Sequence, residues 1–472
     1  MKNVRFGSDK RMTRQLLFNA FMMNCVAHLA PGQWTAPDDQ ATSYCDPAYW
    51  IGIARTLERG LFDGLFLGDV IGVYDVDGGS PAAALRSASQ VPMNDPFPLV
   101  PLMAQATRHL GFGITASASY EHPYLLARRF TTLDHLTRGR VAWNIVTSYL
   151  DSGARSLGQA QLVAHDERYD RADDYLALCY SLWEGSWEEG AALRDAGAGV
   201  YADPSRVHAI AHDGPYFRSQ GIYQCEPSPQ RTPLLFQAGG SGRGRRFAAR
   251  HAECIFAGAP TREGLRRTVA ALREELVLAG RTPDAAKVFA MFTVIVDADG
   301  HRARERLAAL RARADLDGAR ALLSGWTGID LSRYRPDDSL AYVDTDAGQS
   351  ALASFSSLDP GKVWTVRDAV EFVALGGRGA VVAGSPVEVA DQLQSWAEDT
   401  GIDGFNLAYV ESPRTFNDIV ELLVPELQRR GAYKQRYAEG TLREKLLGHG
   451  PHLASDHPGH ALRAGRPSPL TF

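Results

Sequence analysis

The chain has 472 residues, of which 45% are hydrophobic and 22% are charged, and its formal net charge is −5. Such a composition is typical of a protein with a substantial buried core, and the slightly acidic balance gives no reason to expect nucleic-acid binding. No run of eighteen apolar residues occurs, and the stretch MKNVRFGSDKRMTRQ lacks the apolar core of a signal peptide, so we expect a cytoplasmic protein without membrane contact.

Strand-like apolar segments alternate with helical patterns in the first part of the chain. Strands are predicted at 16–23, 61–69, 110–117 and 140–148. Helices are predicted at 46–60, with Pro47 in the first helical position, and at 97–109, 124–136 and 167–183. A Gly- and Asp-rich insertion at 184–231 follows the last of these helices.

The same alternation continues after this insertion. Strands are predicted at 233–239, 254–258, 288–297, 379–386 and 403–410. Helices are predicted at 242–251, 262–279, 386–400 and 415–431. A second long insertion occupies 304–376.

Continuous apolar strands of this kind are buried on both faces, which predicts a parallel sheet. Two closures fit the alternation: an eight-stranded TIM barrel with long insertions, or an open doubly wound sheet. The count of about eight strands and the long loops after their carboxyl ends favour the barrel. We expect residues 1–440 to form one domain, and residues 441–472, rich in Pro, Gly, His and Arg, to form a flexible tail.

The segment LLFQAGGSGRGRRFAARHAE, residues 234–253, joins a strand to a helix through a glycine-rich turn. Gly239, Gly240 and Gly242 permit close approach of a ligand to the backbone, and free N–H groups at a helix start favour an anion. Ser241 adds a hydroxyl donor. The segment matches neither nucleotide-binding fingerprint, and a simple packing corner between strand and helix explains it equally well.

A second candidate segment is HDERYDRADDYLALCYSLW, where His165 and Tyr169 stand four residues apart at a predicted helix start. Residues at this spacing share one helix face and could donate to a single phosphate. Considered alone, the segment is better explained by Asp166 capping the helix, with both residues on the surface.

Polar residues also stand at the carboxyl ends of three predicted strands: Asp69, Thr115 and Asn144. Parallel barrels and doubly wound sheets bind their ligands at this edge. Buried polar groups there must bond to one another, to loop backbone or to a ligand.

Other chemistries find less support. The five cysteines form no CxxC pair, and the histidines show no metal-ligand spacing, so no disulfide framework or metal site is predicted. Neither a GxSxG elbow nor an HExxH motif occurs.

Three segments together resemble one family: HLGFGITASASYEHPYLLARRFTTLDHLTRGRVAWNIVTS (109–148), HDERYDRADDY, and FQAGGSGRGRRFAARHAE. The chain resembles the flavin-dependent monooxygenases that include nitrilotriacetate monooxygenase component A and the dibenzothiophene sulfone monooxygenases, within the bacterial luciferase-like superfamily. The resemblance extends from about residue 16 to 430. It implies a TIM barrel with insertions that binds FMN at the carboxyl ends of its strands.

The resemblance also implies a reaction. Reduced FMN, supplied by a separate NAD(P)H-dependent flavin reductase, would react with O₂ to give a C4a-(hydro)peroxide that oxidises a small organic substrate. It further implies a homodimer or tetramer. Two alternatives within this fold are an F420-dependent oxidoreductase and a flavin-binding protein without turnover; a metal-free glycosidase barrel would leave the glycine-rich turn without a task.

Residue roles follow from matching motifs. The matches assign FMN contacts to Asp69, Thr115, His165, Tyr169 and Ser241, with Asn144 beside the isoalloxazine and the backbone of Gly240 and Gly242 at the phosphate. His28 and Trp34 follow the first strand; we predict a catalytic role in proton steering for His28 and a substrate contact for Trp34, and the alternative is ordinary loop residues. The chain departs from the family at Ala118-Ser119 and at Trp34-Thr35, so no member's substrate carries over.

Overall fold

A closed parallel barrel forms the centre of the computed structural model, which describes residues 15–340 and 363–463 together with Ala347 and Phe355. The strands of the described chain are β1 Leu17–Met23, β2 Gly64–Gly68, β3 Gly111–Ser117, β4 Val141–Val146, β5 Ala192–Asp195, β6 Val200–Ala202, β7 Ala209–Asp213, β8 Arg218–Ile222, β9 Leu234–Gln237, β10 Cys254–Ala257, β11 Lys287–Val296, β12 Ala380–Gly384 and β13 Gly404–Ala408.

Eight of these described strands close the barrel in the order β1, β2, β3, β4, β9, β10, β11 and β13, with β13 paired to β1. All these pairings are parallel, and β10 pairs with β11 through the register Cys254 with Lys287. The predicted TIM barrel is confirmed, and the doubly wound alternative is wrong because the β10–β11 pairing closes the eight strands on themselves. The ninth parallel strand, β12, pairs only with the carboxyl half of β11.

The helices surround this barrel. Their bounds are α1 Pro47–Arg59, α2 Ala82–Ser87, α3 Leu99–Gln105, α4 Pro123–Thr137, α5 Asp151–Ser156, α6 His165–Gly185, α7 Gly242–His251, α8 Arg262–Leu278, α9 Gly300–Arg313, α10 Leu316–Thr327, α11 Val366–Val373, α12 Pro386–Thr400, α13 Arg414–Asp418, α14 Val424–Arg429 and α15 Leu442–Leu447. A π-helical turn, Ile419–Leu423, joins α13 to α14. No helix of the described ranges is both long and apolar enough to cross a membrane.

Local signals set many helix ends. The Asp46 side chain caps α1 by accepting from the Ala48 N–H, and Ser385 forms a capping box with Glu388 at α12. The predicted helix at 97–109 is shorter, because the Glu58 carboxylate accepts the backbone N–H groups of Arg108, His109 and Leu110 and draws the chain out of helical geometry.

Phenylalanines from several strands fill the barrel. The rings of Phe66 and Phe256 lie 4.4 Å apart, and those of Phe236 and Phe256 lie 5.2 Å apart. Glycine makes room for them, since a Cβ built on Gly113 would stand 2.7 Å from the Phe66 ring. This packing closes the barrel interior and leaves its carboxyl end for the site.

The two insertions have different structures. Residues 184–231 form two antiparallel hairpins, β5 with β6 and β7 with β8. The described part of 304–376 is helical, and its helix α10 lies over the carboxyl end of the barrel, where Trp326 reaches the site.

The expectation of a flexible tail at 441–472 is wrong for residues 441–463. Helix α15 packs Leu442 and Leu446 against barrel phenylalanines, and the fully buried Arg443 forms two hydrogen bonds to Glu253, at 2.7 and 2.8 Å. Composition suggested disorder, but a few apolar residues and one charge find buried partners at the amino-terminal end of the barrel. Residues 464–472 lie outside the described residues.

Candidate active site

Two adjoining cavities open at the carboxyl ends of the barrel strands. The larger has a volume of about 400 Å³ and the smaller about 220 Å³. Six residues line both: Val146, Tyr149, Ala238, Gly240, Trp326 and Arg378. The shared wall shows that the two cavities form one continuous site.

The larger cavity gathers the polar residues predicted at the strand ends. Thr115 and Asn144 are register partners on β3 and β4, and the Asn144 amide donates to the Thr115 hydroxyl at 2.9 Å. Asn144 Oδ1 is buried and has no partner among the described residues. A buried acceptor of this kind calls for a ligand that donates to it.

Asp69 follows β2 and lines the same cavity. Burial raises the pKa of its carboxyl to about 7, and the charge of Asp95 acts in the same direction. Asp69 therefore exchanges its proton near neutral pH, which is the behaviour of a functional carboxyl rather than of a solvated one.

His28 also lines the larger cavity, with its ring edge-on to Phe21 at 4.4 Å. Burial lowers the pKa of His28 to about 3, although a hydrogen bond to the Phe21 backbone opposes the shift. The imidazole is therefore neutral at physiological pH. Its Nδ1 has no partner among the residues that the structure describes.

The smaller cavity lies at the start of α7. Ser241 is the N-cap of this helix, and its Oγ accepts from the Gly244 N–H at 3.0 Å, which leaves the hydroxyl proton to donate. His165 and Tyr169, from the first turns of α6, line the same cavity together with Gly240. The structure thus brings the glycine-rich turn and the helix start of the second motif to one place.

Close backbone approach shapes this corner. A Cβ built on Gly244 would lie 2.8 Å from the Tyr169 hydroxyl and 2.9 Å from Ser241 Oγ. Arg243 joins the two helices by donating to Asp170 and Asp173 of α6. The turn is therefore held rigidly beside α6, as a binding corner requires.

Two predicted residues lie off the cavity walls. Gly242 is the first residue of α7, directly behind Ser241, and its backbone N–H is one of those that a helix start leaves without an intrahelical acceptor. Trp34 is turned toward the end of α2, where its indole donates to the Ser87 carbonyl at 3.1 Å. The structure does not bring Trp34 to the site.

Several residues that line the two cavities were not predicted from the sequence. Arg168 and Gln237 line the smaller cavity, Gln90 and Asn406 the larger, and Tyr149 and Arg378 both. Local signals existed for Arg168, inside the second motif, for Gln237, which ends the apolar strand β9 in the glycine-rich motif, and for Asn406, a polar residue in an apolar strand. Arg378 precedes β12 and reaches the site only because that strand extends the barrel.

A helix start of the kind that suits a phosphate lies beside a ring-sized cavity at the carboxyl end of a parallel barrel, and this arrangement is typical of barrel enzymes whose ligands carry a phosphate. Comparison with known proteins agrees. The family model described as "Luciferase-like monooxygenase" matches residues 23–404, and the chain belongs to this family.

Curated relatives cover nearly the whole chain. It is 46% identical to the dimethyl-sulfide monooxygenase of Hyphomicrobium sulfonivorans, over 96% of this chain and 94% of that protein. It is 47% identical to the long-chain alkane monooxygenase of Geobacillus thermodenitrificans, over 94% of this chain and 97% of the relative.

A solved relative shows the same architecture. The crystal structure of a riboflavin lyase with modified FMN and riboflavin matches 96% of this chain and 100% of that chain, with a TM-score of 0.90 and 38% identity. The chain is a monooxygenase that uses reduced FMN. The two curated relatives at 46 and 47% identity are monooxygenases, so the F420-dependent alternative is wrong for this chain.

Proposed function

We propose that the smaller cavity holds the FMN phosphate and the larger cavity holds the isoalloxazine. The main support is the corner at Ser241. There a helix start, the Ser241 hydroxyl and the Tyr169 hydroxyl meet beside the larger cavity. The unpartnered Asn144 Oδ1 suits an N–H group of the flavin ring. The residues present therefore fit FMN.

The phosphate would be held by several donors. The Ser241 and Tyr169 hydroxyls and His165 face it, and the Gly240 and Gly242 backbone N–H groups contribute at the positive end of α7. Arg168, buried in the same wall, adds a positive charge. These contacts fix the position of the ring at the other end of the cofactor.

Reduced FMN, when bound, supplies the electrons with which one atom of O₂ enters the substrate and the other leaves as water. The protein's residues orient the ring and the substrate and exclude water. Thr115 and Asn144 form the polar wall for the ring, and Asp69 offers a carboxyl that holds a proton below about pH 7. His28, neutral at working pH, offers one unprotonated ring nitrogen as an acceptor and is our candidate for steering a proton.

The substrate shares the larger cavity with the ring. Apolar side chains form much of its wall, among them Met23, Leu29, Val70 and Met291. The two curated relatives act on dimethyl sulfide and long-chain alkanes. Together these observations support a small, largely apolar organic substrate for this chain.

The reduced cofactor would come from a separate NAD(P)H-dependent flavin reductase. We also propose that the protein forms a homodimer or tetramer. Light scattering of the purified protein tests the assembly, and dependence of turnover on an added reductase tests the supply of FMNH₂.

The deciding experiment combines the protein, FMN, NADH, a flavin reductase and a panel of small sulfides, alkanes and alcohols. A product heavier by one oxygen atom, labelled from ¹⁸O₂, is expected for at least one substrate. Peroxide release with every substrate would instead indicate a flavin-binding protein without turnover. A parallel titration with F420 should show no tight binding.

A further inference from the structure

A chain of hydrogen bonds runs behind the wall of the larger cavity. The Tyr74 hydroxyl, fully buried, lies 2.7 Å from Gln90 Oε1 and 2.6 Å from the Tyr149 hydroxyl. The Trp326 indole donates to the same Tyr74 oxygen at 3.2 Å. Tyr149 lines both cavities and is the member of this hydrogen-bond series that faces them.

The orientation of the Gln90 amide is set by its other contact. Its Nε2 donates to the His28 carbonyl at 2.8 Å, and a carbonyl oxygen can only accept. The amide oxygen of Gln90 therefore faces Tyr74. Since an amide oxygen also only accepts, the single Tyr74 hydroxyl proton must lie in the bond to Gln90.

This assignment determines the direction of the bond between the two tyrosines. Tyr74 has no second proton to give, so the Tyr149 hydroxyl donates to the Tyr74 oxygen. Burial raises the pKa of Tyr149 to about 12 and holds that of Tyr74 well above its ordinary value, so both hydroxyls keep their protons at neutral pH. The Tyr149 oxygen therefore only accepts further hydrogen bonds; the Trp326 indole N–H can use one of its lone pairs, and the other faces the cavity.

We propose that Tyr149 is a specificity-determining residue that accepts a hydrogen bond from a hydroxyl or N–H group of the organic substrate. The proposal rests on the proposed function and narrows its substrate class. Neither dimethyl sulfide nor an alkane carries such a donor, so the preferred substrate of this chain differs from those of its two curated relatives.

Two further wall atoms have the same character. His28 Nδ1 and Asn406 Oδ1 have no partner among the described residues, and both side chains are only 2% exposed. The His28 ring is neutral, so one of its two nitrogens carries no proton and can accept. The same wall also carries donors in Arg245, Arg267 and Arg378, so a ligand with both donors and acceptors is favoured, and the acceptor atoms would meet its donors.

The test uses two isomeric probes, benzyl alcohol, which donates a hydrogen bond, and anisole, which only accepts. Their dissociation constants are measured by ligand-observed NMR on the protein loaded with oxidised FMN. The preference for benzyl alcohol over anisole should be about tenfold greater in the wild type than in Tyr149→Phe. Comparing the ratio between proteins cancels the different hydrophobicity of the probes.

A second variant tests the direction of the bonds. In Tyr74→Phe the Tyr149 hydroxyl loses its acceptor and can donate to anisole, so the preference for benzyl alcohol should fall even though Tyr149 is intact. Tyr409→Phe is the matched control. The buried Tyr409 hydroxyl donates to the Val26 carbonyl and has no bond to Tyr74, Tyr149 or Gln90 among the described residues, so this variant should keep the wild-type ratio.

Equal ratios in the wild type and Tyr149→Phe would overturn the proposal. The same conclusion follows if Tyr149→Phe weakens FMN binding but leaves the ratio unchanged, because the donor would then belong to the flavin. Failure of the wild type to bind FMN would overturn the proposed function alone, since the probe ratio can still be measured on the cofactor-free protein.

Discussion

The Tyr169 hydroxyl lies against Gly244, so closely that a Cβ at this glycine would stand 2.8 Å from the hydroxyl oxygen. The contact joins the first turns of α6 and α7, which are separated by more than seventy residues of sequence. It is the geometric basis of the proposed phosphate site.

Removing both hydroxyl donors at this corner should weaken FMN binding. The double variant Ser241→Ala, Tyr169→Phe is expected to lose roughly 2 to 4 kcal/mol of binding free energy, because each hydroxyl donates to a charged phosphate. Fluorescence titration with FMN measures the loss. Ser385→Ala is the control, since it removes an equivalent N-cap from α12 and should leave the affinity unchanged. Wild-type affinity in the double variant would refute the phosphate assignment.

Adding one methyl group at Gly244 should have a similar effect without removing any donor. In Gly244→Ala the Cβ meets Tyr169 and Ser241, so the corner must widen and FMN affinity should fall at least about tenfold. Gly242→Ala is the matched change in the same helix, because its Cβ meets only Arg246, at 3.7 Å, and its N–H is retained. Equal affinities of the two variants would show that the corner does not hold the cofactor.

Flavin-ring binding should depend on pH through Asp69. Its pKa of about 7 means that the carboxyl is protonated below this pH and ionised above it. A bound ring removes more water from the carboxyl and so favours the protonated form; riboflavin affinity should fall as the pH rises through 7. Riboflavin is the probe because the phosphate of FMN itself titrates near pH 6.

Two variants check the origin of this dependence. Asp69→Asn should bind riboflavin with an affinity that is flat between pH 5.5 and 8.5. Asp95→Asn removes the neighbouring charge, so the midpoint should move below 7. An unchanged midpoint in Asp95→Asn, or a persistent midpoint in Asp69→Asn, would assign the titration to another group.

The buried pair of Arg443 and Glu253 should stabilise the barrel only as a pair. Arg443→Met leaves the Glu253 carboxylate buried without its cation and is expected to cost about 3 to 5 kcal/mol of unfolding free energy. The double variant Arg443→Met, Glu253→Leu should recover most of this loss. Urea unfolding followed by circular dichroism measures both, and a double variant as unstable as the single one would contradict the account.

Acid should weaken the same pair. Burial acts to raise the pKa of Glu253, but the charge and hydrogen bonds of Arg443 outweigh it and hold the pKa below the ordinary value of 4.5. The stabilisation is therefore present above pH 4.5 and is lost as the pH falls through the lower folded-state pKa. The double variant should show a shallower loss of stability below pH 4.5 than the wild type.

Features that depend on near neighbours were predictable from the sequence. The apolar strands and the start of α7 at Gly242 follow from periodicity and capping, and the structure has α7 and α12 at the predicted bounds. The candidate cofactor residues were predictable too, because Asp69, Thr115 and Asn144 end strands whose carboxyl ends meet at one edge. Each of these residues lies in a short, contiguous stretch of sequence, so no long-range contact is needed to find it.

Contacts between distant residues required the tertiary structure. Arg443 and Glu253 are 190 positions apart, so a tail rich in Pro and Gly gave no sign of the charge it buries. Likewise Tyr74 and Tyr149, 75 positions apart, have no sequence pattern that reveals which hydroxyl donates. By itself the sequence determined the alternating strands and helices and the capped, glycine-rich start of α7, since short-range hydrophobic and capping preferences encode both. Only the tertiary structure decided which buried donors and acceptors meet, and therefore what Tyr149 offers to a substrate.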